Sequence, residues 1–94
     1  MVQSKDRRSL EDLVSVGPAA VEDFRVLGIE EVSQLIASDP LELYRSLCQV
    51  TGIQHDICVL DVFTAAVAQA KNPDLPREMC DWWYWSHQRK SVEE

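Results

Sequence analysis

The stretch Leu13-Val14-Ser15-Val16-Gly17-Pro18-Ala19-Ala20-Val21-Glu22-Asp23-Phe24-Arg25-Val26-Leu27-Gly28-Ile29 decides the fold. Proline at a first helical position needs no amide hydrogen bond and already has a suitable φ, so Gly17-Pro18 ends one helix and starts the next. From Pro18 onward Ala20, Val21, Phe24 and Leu27 recur at helical spacing and form one apolar stripe. Gly28 ends that helix through a left-handed turn. Upstream, Ser9 with Asp12 three residues later, followed by Leu13 and Val14 after Leu10, predicts a first short helix. Two short helices joined by a tight turn leave amides without partners at the start of the second. Those amides, with the helix dipole behind them, can hold a phosphate without reading bases, and the equally open alternative is that the turn is simply a tight helix-helix connection. A glycine at position 17 keeps that approach open.

Working outward, helix signals follow one another and no segment alternates with a period of two between hairpin turns, so the fold class is all-α. Val32, Leu35 and Ile36 mark a short third helix. Asp39-Pro40-Leu41-Glu42 is the clearest start signal, with a capping acid, a proline at the first position and a glutamate in the first turn. The helix it opens carries Leu43, Leu47 and Val50 and stops near Gly52. A fifth, roughly Asp56 to Ala70, places Ile57, Leu60, Phe63 and Val67 on one stripe, and Asn72-Pro73 ends it. A last helix from about Leu75 runs into Trp82-Trp83-Tyr84-Trp85, with a polar tail beyond. The expected core joins Leu13, Val21, Phe24, Leu27, Leu35, Leu43, Leu47, Leu60, Phe63 and Val67. A fainter glycine turn, Val50-Thr51-Gly52-Ile53, reads either as a degenerate copy of the first turn or as chance, and chance is the simpler reading.

The chain has 94 residues, 46% of them hydrophobic and 27% charged, with 3 Gly and 4 Pro. That is one domain able to bury about 60–65% of its unfolded surface, and neither a disordered nor a low-complexity chain. Its organisation reads as a flexible basic N-terminus over residues 1–8, a folded domain over 9–86 and a polar tail over 87–94. Asp61 interrupts the best apolar run, Cys58 to Ala70, before it reaches the ~18–20 residues that cross a bilayer. The opening residues lack the apolar segment of a secretion signal. The expectation is a soluble protein of the cytoplasm with no membrane partner.

Charge bears most directly on function. The formal net charge is −7. Between Ser9 and Ser86 the four cations Arg25, Arg45, Lys71 and Arg77 face thirteen carboxylates, a balance of −9. The other cations lie at the ends: Lys5, Arg7 and Arg8 before, Arg89 and Lys90 after. Such a body repels nucleic acid overall, and only a local patch or the ends attract it.

The segment 13–29 resembles a helix-hairpin-helix motif, in which an apolar residue and a glycine make the hairpin and the second helix ends in Leu-Gly-Ile. Ser15 stands at the first hairpin glycine position, and Ala19 and Ala20 stand where such motifs often carry Lys and Thr. Together with Asp39-Pro40-Leu41-Glu42-Leu43-Tyr44, Leu47-Cys48, Thr51-Gly52, Cys58-Val59-Leu60-Asp61-Val62-Phe63 and Trp82-Trp83-Tyr84-Trp85, it makes residues 9–86 similar to a small bacterial family labelled pathogenicity-locus or mitomycin-resistance proteins. The resemblance implies a compact five- to six-helix helix-hairpin-helix domain of the SAM-like type, similar to the C-terminal domain of TfoX-type competence regulators. It implies fold more firmly than activity. Carried onto this chain, weak contact with DNA without sequence preference would use Arg7, Arg8, Val16, Gly17, Ala19 and Ala20.

The aromatic block supports a different function. Four consecutive rings on a helix spread over about 300°, so one face does not bury them all. Trp82 and Trp85, three apart, are expected to close the core, leaving Trp83 or Tyr84 as an outward contact for a protein partner or a second copy of the chain. Two readings therefore stand: a DNA-backbone module, favoured by the resemblance, and an acidic interaction module, favoured by the charge. Neither is an enzyme, for no nucleophile-base-acid set or phosphate loop is present. Cys48, His55, Cys58, Cys80 and His87 are metal-ligand residue types, but their spacings match no zinc module, so neither metal nor cofactor is expected and the thiols are read as reduced.

Overall fold

The computed structural model describes residues 8–93. Arg7, one of the expected DNA contacts, lies outside the described residues. Six α-helices follow a short 3-10 turn at Leu10–Asp12: α1 Pro18–Val26, α2 Val32–Ile36, α3 Pro40–Thr51, α4 Cys58–Lys71, α5 Arg77–Cys80 and α6 Trp82–Glu93. The all-α class holds, with no strand among the described residues. The expected first helix is only the 3-10 turn. Ser9 donates its N–H to the Asp12 carboxylate at 2.8 Å, but the chain is extended again at Leu13, so the signal closes one turn and no more.

The helix boundaries follow their local chemistry. Pro18 opens α1 as its first residue, and the end is a left-handed Gly28 at φ 81°, with the Ile29 N–H returning to the Phe24 carbonyl at 2.8 Å. The Asp39 carboxylate accepts the Leu41 N–H at 2.9 Å and caps α3, which stops at left-handed Gly52. Before α4, Asp56 accepts the Cys58 N–H at 2.8 Å.

α4 is the central element, packed by α2, α3, α5 and α6. Its stripe meets α1 through Phe24 and Phe63, both fully buried, with ring centroids 4.7 Å apart. Leu10, Leu13, Val21, Leu35, Leu47 and Val67 complete the same core, and Leu27, Leu43 and Leu60 pack on it half-buried. Every fully buried side chain of this size removes about 1.5–3 kcal/mol worth of apolar surface from water. Ile57 was expected on the stripe but stands exposed, because the helix starts one residue after it.

The C-terminal region differs most from expectation. Asp81 is extended (ψ 138°) and divides the last helix into α5 and α6. Residues read as a polar tail continue α6 to position 93. Trp82 does not close the core. It is 39% exposed, as the first residue of α6. The face that meets α4 instead centres on Ser86, 5% exposed, whose small side chain allows close approach. Trp85 is half-buried and donates its indole N–H to the Met79 carbonyl at 2.7 Å.

Candidate functional site

The hairpin between the 3-10 turn and α1 is built from the residues the sequence singles out. Ser15 has φ 71°, the only non-glycine residue with positive φ among those described. It thus holds the left-handed conformation that glycine adopts freely and other residues adopt at a cost of about 1–2 kcal/mol. Its hydroxyl accepts the Trp82 N–H at 3.0 Å, so the side chain caps the start of α6. A glycine here would be relaxed but would leave that amide without its acceptor.

Gly17 is the N-cap of α1 and is extended (φ −97°, ψ −174°). An added Cβ would meet nothing within 4 Å. The turn does not need glycine for strain; the space in front of it is open. The Val21 N–H is the first to close the helical ladder, on the Gly17 carbonyl at 3.0 Å, which leaves the Ala19 and Ala20 amides without an intrahelical acceptor. Val16 contributes differently. Its side chain is in the core and its N–H is already donated to the Leu13 carbonyl at 3.2 Å.

Gly17, Pro18, Ala19 and Ala20 form one wall of a groove of about 270 Å³ whose floor is Val59, Val62 and Phe63 of α4. Asp23, one turn along α1, lines it too. Burial pushes the Asp23 carboxyl above the usual range, and neighbouring Glu22 adds to this while His55 opposes it. His55 is held by a 2.8 Å hydrogen bond between Nε2 and the Thr51 hydroxyl. Glu22 is paired with Arg25 at 3.0 Å. The groove therefore sets two residues whose amides lack an intrahelical acceptor beside one carboxylate that burial makes reluctant to ionise.

A single residue of α4 fixes the hairpin. The Gln69 Oε1 accepts the Val14 N–H at 2.9 Å, and its Nε2 donates to the Val14 carbonyl at 2.9 Å, with further contacts to the Ala65 and Cys80 carbonyls at 3.1 and 3.4 Å. Arg8 sits close by, donating to the Gln69 and Ala70 carbonyls at 2.9 and 3.2 Å at the C-terminal end of α4. That is a cation on the negative end of a helix dipole. Of the expected contacts, the structure therefore brings Gly17, Ala19 and Ala20 together, commits the Val16 amide to the turn and engages Arg8 with α4.

Trp83 is 48% exposed, with its ring edge-on to His87 at 6.1 Å, and Tyr84 is half-buried, edge-on to Trp85 at 5.0 Å. The exposed rings thus begin beside the hairpin, where Trp82 meets Ser15. Sequence reasoning missed the ion pair of the C-terminal region. Asp61, 1% exposed, accepts a two-point contact from Arg89, with Nε to Oδ1 at 3.0 Å and Nη2 to Oδ2 at 3.1 Å. Asp61 was legible as a charge in the middle of an apolar run, which demands a partner.

The cysteines are free. A hydrogen bond with Asp56 pushes the Cys58 thiol up, and burial does the same to Cys80. Among the described residues no group of three or more His, Cys, Asp or Glu is placed to hold a metal ion, and no helix is long and apolar enough to cross a membrane.

Comparison with known proteins adds the following. The chain is 38% identical over 89 residues to the Mitomycin resistance protein McrB of Streptomyces lavendulae, an alignment covering 95% of this chain and 81% of the relative. No solved structure matches. The family profile described as Pathogenicity locus matches residues 3–91, and with nearly the whole chain covered, this protein belongs to that family.

Proposed function

We propose that this protein is a non-enzymatic helix-hairpin-helix module of the cytoplasm, of the mitomycin-resistance type, that contacts the DNA phosphate backbone weakly and without sequence preference. The observation that carries the reading is the hairpin. Ser15 takes the left-handed conformation expected at a hairpin glycine, the space beside Gly17 is open, and the amides of Ala19 and Ala20 lack an intrahelical acceptor at the start of a nine-residue helix. Backbone amides at a helix start hold phosphate and carry no base preference. The acidic body keeps the affinity low. The name of the Streptomyces relative agrees with a protective role, which in this reading is exerted at DNA.

The test is a titration of labelled duplex DNA at about 50 and 200 mM salt. The slope of log K on log salt should correspond to about two to four phosphates. Gly17→Val should abolish binding while the protein stays folded, since the backbone there is extended and an added Cβ meets no protein atom within 4 Å. Unchanged binding by folded Gly17→Val removes the hairpin as the site.

One observation favours a second reading, an interaction module. Trp82 and Trp83 are 39% and 48% exposed on a small acidic chain, and exposed indoles mark contact surfaces. Trp83→Ser, and Tyr84→Ser beside it, should then weaken self-association or partner binding in light scattering without lowering the melting temperature.

A further inference from the structure

A second groove lies on the far side of α4, between the start of α3, the middle of α4 and the second turn of α6. Its volume is about 470 Å³, within the range of small-molecule sites. Pro40 and Leu41 form one wall, and Leu60 and Trp85 the other. Leu41 is 41% exposed, an apolar side chain left uncovered at the rim. Trp85 is a fixed wall, because its indole N–H is tied to the Met79 carbonyl.

The polar groups around this groove, Gln88 apart, already have partners in the protein. Asp61 and Arg89 face each other in a two-point contact that cancels their charges. The Asp39 carboxylate caps α3 through the Leu41 N–H, and the Thr64 hydroxyl donates to the Leu60 carbonyl at 2.8 Å. Only the Gln88 side-chain amide faces the groove with no partner among the described residues. The lining therefore offers an aromatic wall, aliphatic surface and one neutral amide, in a chain of net charge −7.

We propose that the α3–α4–α6 groove binds a small uncharged aromatic molecule carrying one hydrogen-bonding group that pairs with Gln88. An anion is disfavoured by the body and finds no cation that is not already bonded to Asp61. A cation, though favoured by the net charge, finds Asp61 already paired with Arg89 and, beside it, only Asp39, whose Oδ1 caps α3. The volume suits a small molecule rather than a partner helix. Stacking on Trp85 supplies affinity, and Gln88 supplies orientation.

The probe is N-phenyl-1-naphthylamine, an uncharged aromatic amine whose emission rises in apolar sites, titrated into the full chain beside its sulfonated analogue 8-anilinonaphthalene-1-sulfonate. The neutral probe should bind, shift the Trp85 indole N–H resonance, and bind at least about tenfold more tightly than the anion. Leu41→Asp at the exposed rim should weaken it at least about tenfold, and Gln88→Ala about threefold. Val50→Asp, on an exposed patch elsewhere, should leave it unchanged. Three results overturn the proposal: no binding of the neutral probe, equal or tighter binding of the anion, or loss of binding in Val50→Asp with Leu41→Asp unaffected. A dimer in solution that Leu41→Asp converts to a monomer also overturns it, because a second copy then fills the groove.

Discussion

Two polar residues are buried eight positions apart on the same apolar helix, and they do their work by different means. Gln69, near the C-terminal end of α4, is neutral and spends its amide on backbone groups: Val14 of the hairpin, Ala65 and Cys80. Asp61, in the first half, is charged and spends both oxygens on one guanidinium of α6. The neutral clamp satisfies hairpin groups that would otherwise be buried unpaired, so it fixes the shape of the proposed phosphate site. The ionic clamp fixes the position of a helix and, with it, the wall of the second groove. A buried ion pair adds little net stability over apolar side chains of the same volume, yet is costly to break on one side. The two clamps should therefore answer differently to mutation.

The largest effect is expected at the ionic clamp. Arg89→Met leaves the Asp61 carboxylate buried without its partner and should cost about 3–5 kcal/mol in urea denaturation. Asp61→Leu combined with Arg89→Met should recover most of that loss, since an apolar pair of similar volume replaces the ion pair. A double variant as unstable as the single one would mean that the pair holds α6 in a way apolar packing does not replace.

Next comes the neutral clamp. Gln69→Leu should cost about 2–4 kcal/mol, because the Val14 N–H and carbonyl both lose their partner inside the protein. No second substitution elsewhere rescues it, since the groups left bare are backbone. Amide exchange at Val14 should accelerate in the same variant, and a protected Val14 would show that the hairpin does not depend on Gln69.

These clamps mark the limit of what the sequence makes legible. Helix starts at Pro18 and Pro40 and the stops at Gly28 and Gly52 follow from the chemistry of a few adjacent residues, and the structure places them there. The Phe24–Phe63 contact follows from two stripes that had to share one core. Asp61 announces the need for a partner, but Arg89 lies 28 positions away, in residues that read as tail and proved helical. Val14 and Gln69 are 55 apart, and neither looks unusual alone. The same blindness explains Trp82. The i, i+3 rule puts it on the face of Trp85, but it does not show that α6 begins at that residue or that Ser86 is the buried residue of α6. On the hairpin, Gly17, Ala19 and Ala20 lie together at the start of α1, while the commitment of the Val16 amide depends on a turn geometry that spacing does not reveal.

A smaller effect is expected where the hairpin meets α6. Ser15→Ala keeps the left-handed backbone but removes the acceptor for the Trp82 N–H, and should cost about 1 kcal/mol. Ser15→Gly loses the same acceptor yet relieves the backbone, so the two terms offset and stability should stay within about 0.5 kcal/mol of the parent. Thermal melting that ranks Ala above Gly would show that the positive φ is held without strain, and an unchanged Ser15→Ala would show that the hydroxyl contributes nothing.

The smallest effect, and the one that joins stability to the proposed site, is at Asp23. Burial raises its carboxyl above the ordinary value, so the folded protein holds that proton more tightly than the unfolded chain does. Stability from this group is present below the ordinary carboxylate pKa and is lost as pH rises through the raised folded value. At neutral pH the ionised side chain is thus a mild liability. Asp23→Asn should melt slightly higher than the parent at pH 7, by under about 0.5 kcal/mol, and the difference should shrink as acid protonates Asp23 in the parent. The same substitution removes the one carboxylate that lines the groove with Gly17, Ala19 and Ala20, so it should strengthen DNA binding at pH 7 at low salt. The two readouts separate stability from binding. A variant that gains stability without gaining DNA affinity places the phosphate elsewhere than beside Asp23. A variant that gains affinity at pH 7, with the gain fading as the parent protonates, ties the groove, the carboxylate and the bound anion together.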